Sequence, residues 1–148
     1  MRKTVATVLA VIFVVAICAF GFTGCVAKAP SKAVTNLEKE GYEAIKTDGI
    51  DDDIEYRVYA VKKGTSIEDL ENNVTVLYFK DAKKAKYYYK SMKLSKEHYY
   101  KLAKLEHDAG EISDNKWEKI KEEYQTYKIG ISGKVVWFGH KDAVKAAG

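Results

Sequence analysis

The chain is poor in the residues that staple or interrupt small folds: its 148 residues include two cysteines and one proline. One cysteine, Cys18, lies inside an apolar run, so a scaffold held by several disulfides is excluded and the fold must rest on its core. Ten glycines without a period exclude a collagen-like chain, and 47% hydrophobic content excludes a wholly disordered one. A strong charge of either sign is also missing, since the net charge is +4. That argues against a dedicated polyanion binder. There is no glycine-rich phosphate loop and no Gly-x-Ser-x-Gly elbow, which removes the commonest nucleotide-binding and serine-hydrolase signatures. No cofactor and no metal site is expected.

What is present begins at the N-terminus. Met1-Arg2-Lys3 is followed by a charge-free stretch from Thr4 to Ala27, and within it Val8 to Phe20 is continuously apolar. That length suits the core of a secretion signal and falls short of the ~20 residues that span a bilayer. The segment ends in Phe22-Thr23-Gly24-Cys25. With its charged start and apolar run, it resembles the signal peptide of bacterial lipoproteins, whose lipobox places small residues before a cysteine. Phe22 stands where leucine is usual. The resemblance covers residues 1–25 and implies that 1–24 is a cleaved signal. It implies that Cys25 carries the lipid, palmitate included, and that the domain sits on the extracytoplasmic face of the cell membrane. An uncleaved helical anchor is the alternative. Without Arg2 and Lys3 the mature chain holds 23 basic and 21 acidic residues.

Residues 25–30 read as a lipid-attached spacer and 31–148 as a single α+β domain. Ser31 is placed to cap a first helix that Gly41 ends. Strands follow at Tyr42–Ile45 and Ile54–Val61, and Val74–Phe79 is apolar enough for a central strand. Asp81 caps a helix to about Lys93. Ser95 opens another to about Ala109, with His98, Leu102 and Leu105 on its apolar face. Ser113 opens a third, with Trp117, Ile120 and Tyr124 in line, before a hairpin of Tyr124–Ile131 and Lys134–Phe138 and a last helix capped by Asp142.

Two segments resemble each other: Tyr56–Val61 matches Tyr124–Ile129, Val76–Phe79 matches Val135–Phe138, and each pair leads to Asp-Ala-x-x-Ala. The expected fold is therefore an antiparallel sheet with helices mainly on one face, built from two tandem αββα units. The possible repeats are 31–93 and 113–148, joined by helix 95–109.

Lys80–Lys104 holds nine lysines against Asp81 and Glu97, interleaved with five tyrosines and no arginine. Without arginine forks and with an acidic stretch at Glu38–Glu55, this reads as a solvated helix face, and no nucleic acid partner is expected. Asp51-Asp52-Asp53 lacks the alternation and distal glutamate of a calcium loop. His98 and His107 are nine residues apart and point to opposite sides of one helix, so they cannot share a metal. Eleven tyrosines exceed what so small a core can enclose, and exposed tyrosine is good contact material. The candidate binding residues are Tyr87, Tyr88, Tyr99, Tyr100 and His140, toward an unknown protein or glycan partner. The functional expectation is a tethered binding or accessory role. The alternative is an enzyme or enzyme subunit of the cell envelope that uses His140 and nearby carboxylates.

Overall fold

A computed structural model describes residues 26–49, 51–65 and 72–148. The expected signal at 1–24 and the expected lipidation site Cys25 lie outside the described residues. The elements run α1 (Pro30–Lys39), β1 (Tyr42–Asp48), β2 (Ile54–Lys62), β3 (Asn73–Phe79), α2 (Ala82–Asp108), α3 (Asp114–Thr126), β4 (Tyr127–Ser132), β5 (Val135–His140) and α4 (Lys141–Ala146). The strands form one sheet in the order β1-β2-β3-β5-β4, with every neighbouring pair antiparallel. The α+β class and the antiparallel sheet are as the sequence led us to expect.

All seven residues of β3 are buried, as the middle of a sheet covered on both faces requires. Val74, Val76 and Tyr78 join Val58, Ala60 and Trp137 under Ala33 and Leu37 of α1 and Ala143 and Val144 of α4. Leu77 and Phe79 turn the other way and join Val136 under Ala85 of α2. The helices thus divide between the two faces, a difference from the expectation of helices mainly on one. The cause is the apolarity of both sides of β3 and β5, which leaves neither face able to stay wet.

This division also limits the internal resemblance. Phe79 and Phe138 do face the same side. The hairpins are nonetheless registered differently, with Tyr59 opposite Thr75 in one and Tyr127 opposite His140 in the other. The helices after the matched strands lie on opposite faces, so the segments do not form two equivalent αββα units. Gly139 and His140 explain the departure by extending β5 two residues past Phe138. Gly139 lies against Val74, with φ of 147° and no room for a Cβ, which would meet the Asn73 carbonyl oxygen at 2.3 Å. His140, whose ring accepts from the Asp142 amide at 3.4 Å, is then the N-cap of α4 where Asp142 had been expected.

Three further boundaries differ from expectation. The two helices expected at 81–93 and 95–109 are one, because the chain from Ala82 to Asp108 contains neither glycine nor proline and Ser95 is tolerated on its exposed side. Pro30, not Ser31, starts α1, at a position where its missing N–H costs nothing. Of the spacer expected at 25–30, the described residues 26–30 are part of the fold: Val26 and Ala27 are 4% and 8% exposed. Ala27 donates its amide to the Ala147 carbonyl at 3.1 Å and accepts from the Tyr78 hydroxyl at 2.8 Å. The apolarity of Val26 and Ala27 is what lets them close the α1–α4 face. Among the described residues, no helix is long and apolar enough to cross a membrane.

Candidate functional site

At 27 residues, α2 is ~40 Å long, about twice the ~19 Å width of five strands. Its first half packs on the sheet through Ala85, Tyr88 and Tyr89. Its second half meets α3, which folds back beside it after Gly110, a residue with φ of 77°. Tyr100 stacks on Tyr124 at 4.2 Å between ring centres and lies 5.3 Å from Trp117, while His107 stacks on Trp117 at 5.4 Å. His107 also lies 2.8 Å from the Asp114 carboxylate. This aromatic clasp holds α3 to a helix that the sheet alone cannot cover.

Where α2, α3 and β4 diverge they leave an open cleft of about 410 Å³, within the range of small-molecule sites (~300–1,000 Å³). Met92, Lys96 and Tyr99 line it from α2, Ile120 and Tyr124 from α3, Tyr127 and Ile129 from β4, and His140 from the end of β5. Positions 92, 95, 96 and 99 of α2 and 120, 123 and 124 of α3 fall at helical spacings of three and four, so each helix presents them on one face, and Tyr127 joins them from the first position of β4. The lining is mainly aromatic and aliphatic, with one carboxylate, that of Glu123, and one cation.

That cation is Lys96. Its ammonium donates to the Tyr127 carbonyl at 2.5 Å and lies 4.4 Å from the centre of the Tyr124 ring. Burial, helped by the charge of Lys128, lowers its pKa from the ordinary lysine value. Among the described residues no carboxylate approaches it within 4.0 Å. Burial pushes the Tyr127 hydroxyl up to about 12, so it stays protonated near neutrality. His140 is less free. Its Nδ1 accepts the α4 cap bond and lies 3.6 Å from the Asp142 carboxylate, with 18% of the side chain exposed.

The structure brings Tyr99 and His140 together in this cleft and separates the other three candidates. Tyr100 lies behind the wall as the clasp. Tyr88 packs on Phe79 at 5.5 Å in the second core. Tyr87 is 76% exposed on the outer side of α2. The face expected to be apolar core at Leu102 and Leu105 is also outward, 48% and 65% exposed, because the side of α2 that meets α3 is the one through Tyr100, Ala103 and His107. Lys96, Tyr124 and Tyr127 were not anticipated as site residues, since a helix break at Ser95 and a strand from Tyr124 cut through both periodic faces.

Elsewhere the charged groups serve local structure. Asp51 Oδ1 accepts from the amides of Asp53 and Ile54, and Asp53 pairs with Lys84 at 3.2 Å. Among the described residues, no group of three His, Cys, Asp or Glu side chains could hold a metal ion. No protein-family model, curated protein or solved structure matches this chain. Its function must be argued from these side chains.

Proposed function

We propose that the protein is a membrane-tethered extracytoplasmic lipoprotein with a non-enzymatic binding role, exercised through the cleft between α2, α3 and β4. The observation that carries the binding role is the cleft itself: apolar and aromatic walls around a few polar groups, the composition of sites that hold a ligand. The groups present are suited to holding. Tyr127 stays a protonated donor, Lys96 is anchored to a carbonyl, and the His140 ring is engaged by its own helix.

The tether rests on the lipobox-like Thr23-Gly24-Cys25 behind a charged start. With Val26 buried, a lipid on Cys25 would attach one peptide link, ~3.8 Å between Cα atoms, from the core. Such a domain sits directly on the bilayer with little freedom to swing, its α1–α4 side toward the lipid and α2 on the far side.

Two measurements test the reading. Cys25→Ala should abolish acyl labelling and leave an unprocessed precursor, and labelling that persists refutes the tether. The neutral dye N-phenyl-1-naphthylamine should bind the isolated domain once, in competition with a bulky side chain at Ser95. Its failure to bind refutes the cleft as a site.

A further inference from the structure

A second hollow of about 170 Å³ adjoins the cleft, and Lys96, Tyr124, Tyr127 and Ile129 line both. The two spaces therefore share a wall that includes Lys96. They differ in character. The larger is lined by Met92, Tyr99 and Ile120, with one carboxylate, that of Glu123. The smaller adds Lys93 and Lys128 to Lys96, against the single carboxylate of Glu97.

We propose that this compound site takes an amphipathic anion, with an apolar body between α2 and α3 and one carboxylate, sulfonate or phosphate headgroup at Lys96. The inference rests on the reading of the cleft as a binding site and adds the class of ligand. Three features carry it. A half-buried ammonium whose oxygen partner is a carbonyl retains donors for an anion, and a hydrogen bond to a charged group in a partly dry site is stronger than one between neutral groups. Lys93 and Lys128 raise the positive potential at the end of the cleft where the headgroup would lie. The Tyr124 ring lies against the ammonium and Tyr99 and Tyr127 also line the cleft, so an aromatic body is well matched to the space beyond it.

The test uses two dyes of similar apolar body on the folded domain: 1-anilinonaphthalene-8-sulfonate, which is anionic, and N-phenyl-1-naphthylamine, which is neutral. Both should bind with one-to-one stoichiometry. Lys96→Met should weaken the anionic dye by on the order of tenfold or more, the value of a charged hydrogen bond, while changing the neutral dye by less than about twofold. Ser95→Trp, at the exposed rim on α2, should block both. If Lys96→Met fails to fold, the exposed pair Lys93→Met and Lys128→Met takes its place and should weaken the anionic dye alone. Parallel loss or parallel retention of the two dyes overturns the proposal and leaves the cleft as a site for neutral ligands. Anionic dye binding that survives Ser95→Trp overturns it too, by placing the dye elsewhere. If neither dye binds the wild-type domain, the reading of the cleft falls and the proposal with it. Decanoate and decyl phosphate as competitors then distinguish a carboxylate from a phosphate headgroup.

Discussion

Tyr100→Ala should detach α3 while leaving the sheet folded. The ring contacts Tyr124 at 4.2 Å and Trp117 at 5.3 Å between centres. Each aromatic pair contributes ~0.5–1.5 kcal/mol beyond burial, so two contribute about 1–3 kcal/mol. A fully buried aromatic cut to alanine costs ~3–5 kcal/mol, and the partly exposed Tyr100 should lose about half of that. The pair energies are contained in that truncation cost, so the expected loss is about 1.5–2.5 kcal/mol. Much of it bears on one opening, the separation of α3 from α2, because the α2–sheet contacts at Ala85, Tyr88 and Tyr89 are untouched. Native-state hydrogen exchange reads this directly. In the variant, amides of Asp114–Thr126 should exchange faster by about ten- to a hundredfold, while those of β3 keep most of their protection. Tyr100→Phe keeps both ring contacts and should stay within about 0.5 kcal/mol of wild type. If Tyr100→Ala leaves the α3 amides as protected as those of β3, the clasp does not hold α3 and the cleft has another support.

Gly130→Ala should cost ~1–3 kcal/mol in a urea melt, because a Cβ there would meet the Trp137 indole at 2.4 Å; an unchanged midpoint would show that Trp137 moves freely. Asp81→Ala should lower the melting temperature at pH 7 more than Asp142→Ala, since Asp81 accepts from the Lys83 and Lys84 amides while His140 caps α4. Those amide bonds hold the Asp81 carboxyl below its ordinary 3.8, so its stabilisation is present above that pH and fades below it. The two proteins should then converge on acidification, and a gap that persists at pH 2 would contradict the cap. Burial holds the Tyr78 hydroxyl up to about 12 against an ordinary 10.0, so its contribution is complete below pH 10 and lost as pH rises toward 12. Tyr78→Phe should cost ~1 kcal/mol at pH 7 by leaving the Ala27 carbonyl without its donor, and should flatten the alkaline loss of stability; an unaltered alkaline limb would assign that loss to another group.

Much of the fold was legible because it rests on local physics. The apolar run at Val74–Phe79, the Asp81 and Ser113 caps and the Gly41 and Gly110 stops all appear where their chemistry places them. Misreadings came where tertiary contact overrides a local signal. Ser95 has the chemistry of an N-cap, yet α2 runs through it because α3 and the sheet both bind the continuous helix. Tyr124 has strand propensity, yet it remains helical because its ring stacks on Tyr100. Those two errors hid the site. Once Met92–Tyr99 and Ile120–Tyr124 are read as unbroken helical faces and Tyr127 as the start of β4, the cleft residues fall into place. The position of the apolar stripe through Leu102 and Leu105 was the other failure, since amphipathic spacing identifies a face without saying what will cover it.

The most direct test of the central claim, that the cleft between α2, α3 and β4 is where this domain binds, is an amide chemical-shift titration of the domain with N-phenyl-1-naphthylamine. The account predicts saturable shifts concentrated at Met92, Lys96, Tyr99, Ile120, Tyr124 and Ile129, with the α1–α4 face unmoved. Shifts centred on Tyr87, Leu94 and Leu105 of the outer face, or none at all, would contradict it.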